Sequence, residues 1–197
     1  MEKTNEMISR SYNDSIVIGG ENRRVYGCAV RFNSESVDMG FIETINPRAI
    51  TQETIERSDV FANINHDRDK VLARCDHGKG SLTLELKDDG LYYEFVAPNT
   101  ALGDEVLEHL KRNEFGGSSF CFSLLNDGTD DRWYRDDNNV LHREILRIDK
   151  LHDVSCVYSP AYKSTTCDLR AAQVMEKSEI INKSMDSFLK ELDIYKI

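Results

Sequence analysis

The stretch that decides the fold is FGGSSFCF, residues 115–122. It follows an amphipathic segment at 100–113 that predicts a helix, and its two glycines separate that helix from a run typical of a β-strand. Because side chains alternate between the two faces of a strand, the two later phenylalanines share a face with Ser118, and Ser119 lies on the other. The phenylalanines claim the core, so we expect Ser119 to be the exposed hydroxyl. Cys121 shares its face but lies two residues deeper into the strand.

The glycines of this stretch also have a chemical interpretation. They let the backbone approach a substrate carbonyl closely and present free N–H groups beside a serine, as an acyl-transfer site requires. Taken alone, however, the stretch favours a plain strand after a glycine turn over a nucleophile.

Outward from this stretch, most of the chain is predicted to form short strands separated by turns. Apolar alternation and β-formers predict strands at 24–32, 41–45, 60–65, 71–75, 81–86, 91–96, 118–125, 140–148 and 151–159. The sequence KDDG at 87–90 predicts a hairpin, because Asp-Gly supplies left-handed turn residues. A short helix is expected at 49–57. The predicted fold class is α+β and β-rich: a partly closed antiparallel β-barrel with covering helices and a helical C-terminal tail.

The expected organisation is one main domain with two appendages. We predict a flexible N-terminal segment at 1–22, a main domain at 23–168 and a helical tail at 169–197. Residues 173–197 contain neither glycine nor proline, and apolar residues mark one helical face there: Ile181, Met185, Phe188, Leu189 and Leu192. That face packs either on its own domain or on a partner.

Composition excludes several classes of function. The 197 residues carry a formal net charge of −10, so their surface repels phosphate backbones and nucleic acid is not expected as a partner. No stretch approaches the roughly 18 apolar residues of a membrane span, and the polar N-terminus lacks a secretory signal, which indicates a cytoplasmic protein. Five cysteines without a C-x-x-C pair predict reduced core residues rather than a zinc site. We expect no metal and no cofactor.

Two further segments end apolar strands with reactive side chains. His66 follows the strand at 60–65, and a histidine can carry a proton in either direction near neutral pH. The segment around 149–155 offers three candidates for an orienting group. Alternation places Asp149 and Asp153 on one face and His152 on the other, and the residues themselves leave this choice open.

Together these segments resemble a known family, the prohead proteases of tailed bacteriophages. These capsid-maturation serine proteases are related in fold to the herpesvirus assemblins. The resemblance covers roughly residues 23 to 163. The matching stretches, in the family's order, are VYGCAVRF (25–32), FIETINPRAI (41–50), ANINHDRDKVLAR (62–74), the helix and strand of 104–122, and LHDVSCVYSPAY (151–162).

The resemblance implies roles for particular residues. The family's histidine falls on His66 as general base, its serine in the G-x-S-F pattern on Ser119 as nucleophile, and its acid on Asp153. The sequence departs from the family at Ser118, a position that is often apolar, and at Asp153, where glutamate is common. Because assemblins use a histidine as third member, His152 stays an alternative.

The function that the resemblance implies is a serine endopeptidase acting in the host cytoplasm, inside the assembling prohead. Its expected substrates are the major capsid protein, the scaffold segment and the enzyme itself, and a homodimer is an open alternative to a monomer. A catalytically silent assembly or scaffolding protein with the same fold is the second hypothesis. A metal-dependent hydrolase using His66, Asp67 and Asp69 is the third, and it predicts inhibition by chelators.

Overall fold

The computed structural model describes residues 7–12, 17–19, 23–115 and 117–158, which form short strands and two helices. The strands are β1 (Met7–Tyr12), β2 (Val17–Gly19), β3 (Arg24–Arg31), β4 (Ile42–Ile45), β5 (Asp59–Ile64), β6 (Asp67–Asp76), β7 (Lys79–Gly80), β8 (Leu82–Lys87), β9 (Gly90–Val96), β10 (Gly117–Ser123), β11 (Asp131–Arg135), β12 (Leu141–Ile145) and β13 (Lys150–Val157). The helices are α1 (Gln52–Glu56) and α2 (Ala101–Lys111).

The largest sheet has six strands in the order β1-β10-β13-β5-β6-β7. Its centre is β13, which pairs antiparallel with β10 on one side and parallel with β5 on the other. A four-stranded sheet in the order β2-β3-β9-β8 contributes to the same hydrophobic core, and three strands in the order β11-β12-β4 form a third sheet. Fully buried Phe120 of β10 and Tyr93 of β9 come from the first two sheets, so the core joins them.

The structure is β-rich with few helices, as predicted, but its described strands form three sheets instead of the expected partly closed barrel. Within the described residues each of the three sheets stays open. Two pairs of strands, β13 with β5 and β12 with β4, are parallel, so the arrangement is not purely antiparallel. Alternation within single strands specifies which faces are buried. It does not specify which strands are neighbours, and a barrel depends on neighbours.

The described strands also extend into the predicted N-terminal segment. Strands β1 and β2 lie within the 1–22 segment that was predicted to be flexible, and they extend the six-stranded and four-stranded sheets. The helical tail predicted at 169–197 lies outside the described residues. Strand β11 is not among the strands predicted from the sequence. Among the described residues, no helix combines the length and hydropathy that a membrane crossing requires.

Helix α1 and the residues that follow it contact the start of β13 in the main sheet. It begins one turn later than predicted because Thr51 caps it, forming a reciprocal capping box with Thr54. Just after the helix, the buried Ser58 hydroxyl accepts a hydrogen bond of 3.0 Å from the backbone N–H of Leu151. The Arg57 Nε donates to the backbone carbonyl of Asp149 at 2.7 Å. These bonds fix the start of β13.

The β8–β9 hairpin forms where the sequence predicted it, but for a different physical reason. Gly90 does not have positive φ; instead, a Cβ there would lie 2.1 Å from the carbonyl oxygen of Val30 on the neighbouring strand. Glycine is required at this position by the close approach of β3.

We expect Gly90→Ala to lower the free energy of unfolding by about 2–3 kcal/mol, because an added methyl group in a packed site costs roughly 1–3 kcal/mol. Gly128→Ala is the matched control. A Cβ at Gly128 would meet no atom within 4 Å, and only its φ of +87° opposes alanine. The control should therefore cost about 1 kcal/mol. Urea unfolding of both variants measures the difference. If Gly128→Ala were less stable than Gly90→Ala, the close approach of β3 would not explain the glycine at position 90.

Candidate active site

His66 lies in the two-residue turn between β5 and β6. Ile64 and Asp67 pair across the turn, and both residues between them have left-handed backbone, with φ of 51° at Asn65 and 58° at His66. Positive φ at both central positions is the type I′ geometry that matches the twist of a hairpin. The Asn65 N–H donates to the carbonyl of Cys156 at 3.0 Å, which ties the turn to β13.

Ser118 and Ser119 lie on opposite faces of β10, as alternation predicted. The Ser118 hydroxyl points into the core, 2.8 Å from the Tyr93 hydroxyl. The Ser119 hydroxyl lies on the other face, 2.6 Å from Nε2 of His66. The expectation that Ser119 would be exposed is wrong, because its exposed fraction is 0%. Ser119 is buried because β10 is an interior strand between β1 and β13, all of whose residues are buried. The imidazole of His66 also lies against the Ser119 hydroxyl.

Of the three candidates for an orienting group, the structure brings Asp153 to His66. The Asp153 Oδ1 lies 2.6 Å from the imidazole Nδ1. A register shift between β10 and β13 interrupts the alternation, so the shared face expected for Asp149 and Asp153 does not hold. Asp149 precedes β13, and its Oδ1 lies 4.0 Å from the Arg57 guanidinium. The Nε2 of His152 faces the Ser123 hydroxyl at 3.1 Å.

The two contacts of the His66 ring determine where its proton resides. An ionised carboxylate can only accept hydrogen bonds, so Nδ1 carries the hydrogen that faces Asp153. In the neutral ring Nε2 then has a lone pair, and this lone pair accepts the hydrogen bond of the Ser119 hydroxyl. The side chain of His66 is about a quarter exposed, whereas Asp153 is almost fully buried. This arrangement can transfer a proton from a serine hydroxyl to an imidazole in a site of low solvent access.

Two residues that contact this group were not identified from the sequence. The Ser155 hydroxyl accepts a hydrogen bond of 3.1 Å from the His66 backbone N–H and donates to Asp153 Oδ1 at 3.0 Å. The same hydroxyl contacts the side-chain amide oxygen of Asn63. Both residues are fully buried polar side chains within strands that are otherwise largely apolar. A polar residue in such a run is the signal that could have identified them.

A cavity of about 430 Å³ adjoins Asp153 on this face of the sheet. Its lining includes Phe61, Asn63, Val71 and His152 as well as Asp153. Arg57, Arg68 and Lys150 also line the cavity, so its wall is partly basic, and of the group formed by His66, Ser119 and Asp153 its lining includes Asp153.

The other candidate chemistries find less support in the geometry. Within the described ranges, no three His, Cys, Asp or Glu side chains are placed together to hold a metal ion. Asp67 instead accepts a hydrogen bond of 2.9 Å from the backbone N–H of Asp69. Cys28, Cys75, Cys121 and Cys156 are buried thiols. Burial raises the pKa of Cys156 to about 12, so this thiol is not a nucleophile near neutral pH.

The half-buried His152 should make stability depend on pH. Desolvation lowers its pKa below the usual value of 6.5. The unfolded chain therefore binds this proton more readily, so stability falls as the pH drops below about 6.5 toward the folded pKa. We expect His152→Gln to lose less unfolding free energy between pH 7 and pH 5 than the parent. Urea unfolding at both pH values measures this, and parallel losses in the two proteins would contradict it.

Comparisons with known proteins place this geometry in context. The family model of the caudovirus prohead serine proteases matches residues 10–180. The structure of the capsid assembly protease gp21 of bacteriophage T4 is similar at 11% sequence identity and a TM-score of 0.49, covering 80% of this chain and 100% of that one. No curated protein sequence matches significantly. Because the family model spans far more than half of its residues, the chain belongs to the caudovirus prohead serine protease family.

Proposed function

We propose that the chain is an active serine endopeptidase in which Ser119 is the nucleophile, His66 the general base and Asp153 the orienting acid. The observation that carries this proposal is the position of the His66 ring. Its Nε2 lies 2.6 Å from the Ser119 hydroxyl and its Nδ1 lies 2.6 Å from the Asp153 carboxylate. A base within hydrogen-bonding distance of a hydroxyl, itself oriented by a third group, is the arrangement that activates serine.

The first half of the reaction forms an acyl-enzyme. As the Ser119 oxygen attacks a peptide carbonyl carbon, its proton moves to Nε2 of His66, and the imidazolium is stabilised by the adjacent carboxylate of Asp153. His66 then donates this proton to the leaving amine as the C–N bond breaks. Gly116 and Gly117 are proposed to supply backbone N–H donors for the oxyanion, as the sequence pattern suggested.

The second half reverses these roles. Water takes the place of the departed amine, His66 removes its proton, and the resulting attack on the ester returns the proton to the Ser119 oxygen. The cavity beside Asp153 offers room for a side chain of the substrate. Substrate access to the buried serine requires a local rearrangement of the surrounding residues.

The substrates we propose are the major capsid protein, the scaffold segment and the enzyme itself. Membership of the prohead protease family supports this choice. The site of action would be the assembling prohead in the host cytoplasm, and an assemblin-like arrangement of the sheets is part of the same proposal. A catalytically silent assembly protein would not require a base held between a serine and a carboxylate.

Ser119→Ala tests the nucleophile. We expect the variant to fold and to lose processing by about 10⁴-fold or more, because it removes the attacking oxygen. The matched control is Ser118→Ala, which removes the neighbouring hydroxyl from the core face and should retain activity. Each variant is co-expressed with its capsid protein, and the products are weighed by mass spectrometry. Cleavage at the same bonds by Ser119→Ala would overturn the assignment.

Asp153→Asn tests the third member. The amide keeps the shape but presents a donor or a weaker acceptor to Nδ1, so kcat should fall roughly 10³- to 10⁴-fold. Asp149→Asn is the control, since this carboxylate faces Arg57 instead of His66, and its kcat should stay within a few-fold of the parent. A larger loss in the Asp149 variant would reassign the role. The readout is the initial rate of cleavage of a peptide spanning a mapped capsid site.

A further inference from the structure

The Ser155 hydroxyl lies at the junction of all three strands that bring the proposed catalytic residues together. Ser155 is opposite Ser119 in the pairing of β13 with β10, and opposite Asn63 in the pairing of β13 with β5. Its side chain is fully buried. A hydroxyl withdrawn from water in this way must find hydrogen-bonding partners in the protein.

The partners of the Ser155 hydroxyl include both His66 and Asp153, the two residues that contact each other. A hydroxyl has one proton and two lone pairs. One lone pair of the Ser155 oxygen accepts the His66 backbone N–H at 3.1 Å. Its proton is shared between Asp153 Oδ1 at 3.0 Å and the amide oxygen of Asn63. The imidazole Nδ1 lies 3.2 Å away. One oxygen atom thus contacts the backbone of the base and the carboxylate that orients it.

The backbone of His66 needs such support. Its φ of 58° is left-handed, which costs a residue with a side chain roughly 1–2 kcal/mol. Such a conformation persists only where the surroundings hold it in place. Two N–H groups of the turn are bound by β13: that of Asn65 by the Cys156 carbonyl, and that of His66 by the Ser155 hydroxyl. The second of these bonds depends on a side chain and can be removed by substitution.

We propose that Ser155 is a positioning residue of the protease, which fixes the left-handed His66 turn and the Asp153 carboxylate in register. It acts through these two residues and does not touch the substrate. This inference rests on the proposed function, because it assumes that His66 and Asp153 take part in peptide cleavage.

The variants Ser155→Ala and Ser123→Ala form a matched pair. Both remove a fully buried hydroxyl from β10 or β13, but Ser123 contacts His152 and not His66. We expect Ser155→Ala to lower kcat roughly 10- to 100-fold with KM nearly unchanged, since a small misplacement of a base has such an effect. Ser123→Ala should keep kcat within about threefold of the parent, and Ser155→Thr, which retains the hydroxyl, should recover most of the loss. If Ser155→Ala does not fold, Ser155→Cys replaces it, because a thiol fills the space but is a weak hydrogen-bonding group.

A second measurement does not depend on turnover. The Nδ1 proton of His66, held against Asp153, should give a downfield proton resonance in the parent and in Ser155→Thr. We expect this resonance to shift or broaden in Ser155→Ala or Ser155→Cys, and to remain in Ser123→Ala. An unchanged resonance, an unchanged kcat, or an equal loss in Ser123→Ala would overturn the positioning role. Failure of the proposed function would appear differently, as equal cleavage by the parent and Ser119→Ala.

Discussion

The pairing of β13 with two different neighbours is the constraint on which the site depends. On one side β13 runs antiparallel to β10, which carries Ser119; on the other it runs parallel to β5, which leads into the His66 turn. Asp153 lies between them on β13 itself. Because hydrogen-bonded strands lie about 4.8 Å apart, side chains on one face of β10 and β13 can come within reach of a residue in the turn that follows β5. Within this frame the imidazole of His66 lies 2.6 Å from the Asp153 carboxylate on one side and 2.6 Å from the Ser119 hydroxyl on the other.

The two faces of β10 and β13 have different tasks. On the inner face, Phe120 and Val154 pack in the hydrophobic core with residues of the four-stranded sheet. On the outer face, serines and a carboxylate form a hydrogen-bonded group around His66. Burial of the inner face holds the strands in register, and a slip of one residue would exchange the two faces. The register that buries the inner face in the core is therefore also the register that places the side chains of the site.

Local features of the fold and the site could be predicted from the sequence, whereas features that depend on neighbouring strands could not. Alternation placed Ser118 and Ser119 on opposite faces, and the amphipathic segment at 100–113 forms α2. The burial of Ser119 depends on its position in an interior strand, which a single strand does not reveal. Alternation left the choice between Asp149 and Asp153 open, and the register shift between β10 and β13, which one strand alone does not reveal, interrupts that alternation. The contacts of Ser155 with Asn63, His66 and Asp153 require β5 and β13 to lie side by side, which no single strand reveals.

The order of these strands along the chain also determines when the site can come into existence. His66 and Ser119 are 53 positions apart, and His66 and Asp153 are 87 apart. Contacts between such distant positions require closure of long loops, so they form late and slowly in folding. A ribosome completes β5 and β10 well before β13, the strand that lies between them in the sheet. During synthesis, the nascent chain therefore contains the histidine and the serine for some time without the strand that brings them together.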